Sequence, residues 1–119
     1  MKKKILIAAL IIFSFKSFAQ TKINAQEISK HINDSVTICE KVSGGRYFEK
    51  PQITLLNLGG TYPSQLFTIV IKGADRDKFK FKPEEELIDK TVCVTGRVTE
   101  HAGKSQIVIT DPKQLASQE

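Results

Sequence analysis

Tryptophan is absent from the 119 residues, methionine occurs once and tyrosine twice. Any aromatic surface must therefore come from two tyrosines and seven phenylalanines. Two cysteines and two scattered histidines are too few to expect a metal centre. No zinc signature, phosphate loop or nucleophile elbow is present. Acid–base chemistry has little to work with. His31 falls in an expected helix and His101 in an expected turn, neither with a nucleophile or carboxylate at a motif spacing. Glu84, Glu85 and Glu86 read as decoration of a helix start. The expectation is a protein that is not an enzyme, with no cofactor and no metal. The longest apolar stretch, residues 5–15, is shorter than the roughly 20 residues that cross a bilayer as a helix.

That stretch has another meaning. Lys2, Lys3 and Lys4 precede it, and Ser17 and Ala19 follow as small residues before Gln20. This is the layout of a secretory signal peptide over residues 1–19. The expectation is an exported chain, periplasmic or secreted, with no stable membrane insertion after cleavage. Four of the 18 basic residues leave with the leader (Lys2, Lys3, Lys4, Lys16), so 14 remain against 13 acidic ones. The remaining net charge of +1 gives no basic domain for holding phosphates in bulk. Electrostatic attraction to a polyanion must come from a local patch. Residues 20–119 suffice for one small domain.

Residues 24–34 read as a short helix, with Asn24 as N-cap, Glu27 completing a capping box, and Ala25, Ile28 and Ile32 on one face. Residues 35–42 alternate as a strand, Val36, Ile38 and Val42 on one side and Thr37, Cys39 and Lys41 on the other. Ser43, Gly44 and Gly45 signal a loop. Residues 52–58 form a second strand stopped by Gly59 and Gly60; Tyr62 and Pro63 mark a turn. Residues 65–72 form a third strand, with Phe67, Ile69 and Ile71 together. Residues 73–77 read as irregular. Lys78, Lys80 and Lys82 read as a solvated edge, and one helical turn is expected after Pro83. Residues 91–98 and 105–110 are the fourth and fifth strands, joined by a turn over residues 100–104. The tail reads as short and frayed, although Leu115 is able to dock. Phe67, Phe79 and Phe81 read as core or barrel-end plugs rather than stacking platforms.

Five short strands with a long third-to-fourth connection suit a mainly β, five-stranded OB-fold-like Greek-key barrel with a short N-terminal helix. The pieces VTICEKV, ITLLNLGGTYPSQLFTIVI, DKTVCVTGRV and GKSQIVITDPKQL carry the likeness further. Over residues 24–115 the chain resembles small bacterial exported OB-fold proteins described as nucleic-acid-binding-like. It departs from them at Glu40 and Asp89, where glycine is common. The resemblance implies a fold and a style of binding, and no catalytic set.

Pairing of the first and fourth strands in such a barrel makes Cys39 and Cys93 candidate cross-strand neighbours. Either they form a disulfide, or they are two reduced, half-buried thiols acting as small apolar residues. OB-folds bind on their second and third strands and flanking loops. The candidate ligand contacts are Arg46, Tyr47, Phe48 and Lys50 in the first loop, Tyr62 between the second and third strands, and Arg97, His101 and Lys104 around the last hairpin. Aromatics for stacking and cations for phosphates suit single-stranded nucleic acid or another anionic polymer. The near-neutral charge also suits a different class of function, an envelope protein-protein interaction module. A third expectation is a periplasmic small-ligand or cation binder without nucleic-acid affinity.

Overall fold

Residue alternation decides the architecture. A computed structural model describes residues 21–118; the expected leader, residues 1–19, lies outside them. In β2 (Ser35–Phe48), Val36, Ile38 and Val42 are fully buried while Thr37, Cys39 and Lys41 face outward. The same two-residue period buries Leu56 and Leu58 of β3 (Ile53–Leu58), and Phe67, Ile69 and Ile71 of β4 (Phe67–Lys72). It buries Val92, Val94 and Val98 of β5 (Thr91–His101) and Ile107 of β6 (Lys104–Val108). These side chains meet in one core, where each large aliphatic contributes roughly 1.5–3 kcal/mol by leaving water.

Around that core the strands run β2–β3–β4–β6–β5, and β5 pairs back onto β2. All ladders of this circuit are antiparallel except β4–β6, which is parallel. This is the five-stranded Greek-key barrel of the OB-fold. The two long strands each serve two sheets. The first half of β2 pairs with β5 and its second half, from Val42, pairs with β3. Likewise β5 leaves β2 at Arg97 and joins β6 at Val98. Gly96 sits at that crossing because a Cβ there would lie 2.7 Å from Cγ2 of Ile107.

The first strand is longer than its sequence pattern implies. Ser43, Gly44 and Gly45 do not open a loop; they carry β2 through a register shift between Val42 and Gly44. A bulge bends a strand without ending it. At Gly45 the chain has no room for a side chain, with Leu56 Cδ2 at 2.9 Å and the Leu55 carbonyl at 3.2 Å. Arg46, Tyr47 and Phe48 therefore stand on a strand rather than in a loop, which fixes the side each one faces.

The N-terminal helix is a 3₁₀ segment, Ala25–His31. Three residues per turn stack Ala25 over Ile28, both buried. Asn24 holds the N-cap position without a side-chain bond, so no capping box forms. A short strand unforeseen in the sequence, β1 (Thr21–Ile23), runs parallel to β2. Residues 73–76, expected to be irregular, form a helical turn, α1 (Gly73–Arg76). A second, α2 (Pro83–Glu86), follows Pro83 as the sequence suggests. The lysines of residues 78–82 lie between these turns and belong to no strand.

The tail is not frayed. The Gln114 side chain accepts from the backbone N–H of Thr110 (2.8 Å) and Asp111 (3.1 Å) and donates to the Thr95 carbonyl (3.0 Å). The chain is thus pinned to β5, and β7 (Leu115–Gln118) adds to that strand's free edge. Cys39 and Cys93 are direct register partners in the β2–β5 ladder and form a disulfide. Phe67 is core, Phe79 is partly buried against it, and Phe81 is 44% exposed with its ring edge-on to Phe79. Phe81 therefore departs from the expected plug role.

Candidate functional site

The strand alternation that fills the barrel also places every second residue of β3, β4 and β6 on the opposite, outer face. Register arranges these residues in rows across the sheet. Asn57 pairs with Thr68 and Thr68 with Gln106, making a polar row. Leu55, Val70 and Val108 make the next row in the same way, extended by Arg46 of β2. Phe48, Ile53 and Lys72 make the third. The three rows floor an open groove of about 720 Å³.

One end of the groove is bounded by Phe48 and Pro51, the other by Tyr62 and the β5–β6 hairpin with His101, Ala102 and Lys104. Lys104 Nζ donates to the Pro63 carbonyl at 2.9 Å, which ties that hairpin to the β3–β4 loop. A side recess of about 350 Å³ continues over β2, lined by Arg46, Phe48, Leu55, Asn57 and Tyr62. Tyr62 stands between groove and recess, 74% exposed. The Arg46 guanidinium lies 4.9 Å from the Phe48 ring centroid. Among the described residues no carboxylate lines either hollow, whereas Arg46, Lys72 and Lys104 do. The surface is thus locally cationic although the chain after residue 19 is near neutral.

Within the polar row, Gln65 Nε2 donates to Thr68 Oγ1 at 3.0 Å, and Thr68 Oγ1 donates to Asn57 Oδ1 at 3.3 Å. Among the described residues the carbonyl oxygen of Gln65 is shielded from solvent and has no hydrogen-bond partner. Among the described residues the Gln106 amide side chain also has no hydrogen-bond partner.

Of the residues singled out in the sequence, Arg46, Tyr62, His101 and Lys104 gather around this face. Tyr47 does not. It follows Arg46 by one residue, so it points through the other side of β2, where its ring lies 4.0 Å beneath the Arg76 guanidinium. Arg76 in turn donates to Glu84 Oε2 at 2.6 Å, joining α1 to α2. That hydrogen bond raises the Arg76 pKa against the opposing effect of burial. Lys50 is exposed in the β2–β3 turn, beside Pro51 but not itself on the groove. Arg97 is exposed on β5 opposite Ser35, in the other sheet, and the groove does not reach it. Reading the sequence alone misses Asn57, Gln65, Thr68 and Gln106. For Asn57, Thr68 and Gln106 the local signal lay in the alternation of β3, β4 and β6, whose outward positions combine amides and hydroxyls with aliphatics; Gln65 lies ahead of β4 and had no such signal.

Among the described residues no group of three or more His, Cys, Asp or Glu side chains is placed to hold a metal. No helix among them is long and apolar enough to cross a membrane.

No protein-family model matches the chain, and no curated protein does. Solved structures share the fold. A protein assigned as an aspartyl-tRNA synthetase from Leishmania major Friedlin superposes over 92% of this chain with a TM-score of 0.53 and 16% identity. An asparaginyl-tRNA synthetase from Pyrococcus horikoshii does so over 82%, with a TM-score of 0.54 and 14% identity. The chain spans 23% of either protein. At such identities the likeness is one of fold, and it agrees with the barrel order described above.

Proposed function

We propose that this chain is an exported, non-enzymatic OB-fold binding module whose outer groove takes single-stranded nucleic acid or a similarly extended anionic polymer. One observation carries the reading. The groove has an aliphatic and amide floor, an exposed tyrosine at its side, and cations without carboxylates at its rim. Flat bases favour the first two features and phosphates the third. The two solved structures named above are of proteins named for tRNA, which accords with this choice of ligand. The leader pattern in residues 1–19 and the Cys39–Cys93 bridge support export to an oxidising compartment, the periplasm or the exterior.

The test is fluorescence anisotropy of the oxidised protein with labelled single-stranded DNA and RNA at several salt concentrations. Binding is expected to weaken with salt, and Arg46→Ala or Lys104→Ala each to lower the log–log salt slope by about 1. No binding at low salt removes the nucleic-acid reading. Intact mass of the protein recovered from the envelope checks export, with the N-terminus expected at Gln20.

A further inference from the structure

We infer that the polar row on the groove floor, Asn57 and Gln106 flanking Thr68, reads the edges of nucleobases, so that binding discriminates between bases. This rests on the nucleic-acid reading of the groove and adds a specificity to it.

The row differs in kind from the rim. Arg46, Lys72 and Lys104 are charged and sit at the margins, suited to a phosphate backbone. Asn57, Thr68 and Gln106 are neutral and adjacent in register on three neighbouring strands. They lie directly beside the aliphatic row of Leu55, Val70 and Val108. A base has an apolar face and a polar edge, and the two rows offer the matching surfaces side by side.

The internal hydrogen bonds also fix what the row presents. Gln65 donates to Thr68, and Thr68 donates to the Asn57 carbonyl. The Asn57 amide is thereby oriented with its oxygen toward Thr68, which leaves its NH₂ as an uncommitted donor. Gln65 keeps a shielded carbonyl oxygen without a partner among the described residues. An unmade bond at a shielded acceptor carries a desolvation penalty, which a small movement toward a base N–H relieves. The free Gln106 amide supplies a further donor and acceptor. Side-chain amides of this kind are suited to base edges, which present donors and acceptors side by side. Asn57, held by this relay, loses less freedom on binding than a free side chain does.

The experiment compares anisotropy titrations of the oxidised protein, beginning at Gln20, with labelled 12-nucleotide strands of deoxythymidine, deoxyadenosine, deoxycytidine and abasic sites. The variants are Asn57→Leu and Gln106→Leu, with Lys104→Ala as the contrast. The base strands are expected to differ in Kd by about fivefold or more, the low end for a well-made base contact. Asn57→Leu and Gln106→Leu are expected to shrink that spread to about twofold while keeping the salt slope. Lys104→Ala should weaken all strands alike and keep the spread. Thermal melting confirms that both leucine variants remain folded; should one not fold, the other carries the test. Equal Kd for all base strands with a preserved salt slope overturns the base-edge reading and leaves the groove reading standing. A spread that survives both leucine substitutions overturns it too, because the preference then comes from stacking. No binding to any strand overturns both readings.

Discussion

Replacing both bridging cysteines, Cys39→Ala with Cys93→Ala, should cost this domain a large part of its stability. The bridge spans 54 residues. Closing a loop of that length removes about 4 kcal/mol of unfolded-chain entropy in the loop-closure model. Compact denatured chains already forfeit some of this freedom, so the expected loss is about 3–4 kcal/mol. The domain has on the order of 100 residues, for which each kcal/mol moves the melting temperature by about 4–8 °C. The variant should therefore melt about 12–30 °C lower. Far-UV circular dichroism over a temperature ramp measures this, and reducing the wild-type protein should give a shift of the same size. A matched control lies on the same outer face of the same ladder, where the Thr37 and Thr95 hydroxyls share a hydrogen bond of 2.9 Å. Thr37→Val with Thr95→Val removes both partners at constant shape and should move stability by less than about 1 kcal/mol. A fall below about 5 °C for the cysteine variant would refute the reasoning. It would mean that the unfolded chain already holds β2 and β5 together, or that the bridge strains the barrel by as much as it restricts the coil.

Two further predictions concern packing. Gly96→Ala forces a methyl group to 2.7 Å from Ile107 Cγ2 at the crossing between sheets, and should destabilise by about 1–3 kcal/mol in urea titration. Glu84→Gln breaks the charge pair with Arg76, whose guanidinium lies over the Tyr47 ring; the Arg76 and Glu84 side chains are 18% and 10% exposed. A cost of about 1–2 kcal/mol is expected, between the values of exposed and buried pairs, and nucleic-acid affinity should stay unchanged because the pair lies off the groove.

Much of the barrel was legible because its signals are local. The alternation of Val36, Ile38 and Val42, or of Phe67, Ile69 and Ile71, states which face is buried without reference to the rest of the chain. The run through Gly44 and Gly45 was not legible in this way. Glycine pairs mark loops and bulges alike, and only the approach of Leu56 to Gly45 distinguishes them. The tail misled for a similar reason. Its order depends on Gln114 reaching Thr95 across the fold, a contact with no trace in local composition. The site divides along the same line. Arg46, Tyr62, His101 and Lys104 were conspicuous by type. Tyr47 was equally conspicuous but points the other way, because a strand reverses side with each residue. Asn57, Thr68 and Gln106 became a row only through register, which one sequence does not reveal.

The two added strands also determine how the protein can be held. β1 borders β2, β7 borders β5, and both belong to the sheet that the groove does not occupy. Thr21 and Gln118, the first and last described residues, thus both sit on the outer strands of that sheet and away from the groove. On the proposed reading of the groove, a tether at either end of the described strands therefore stands clear of the ligand.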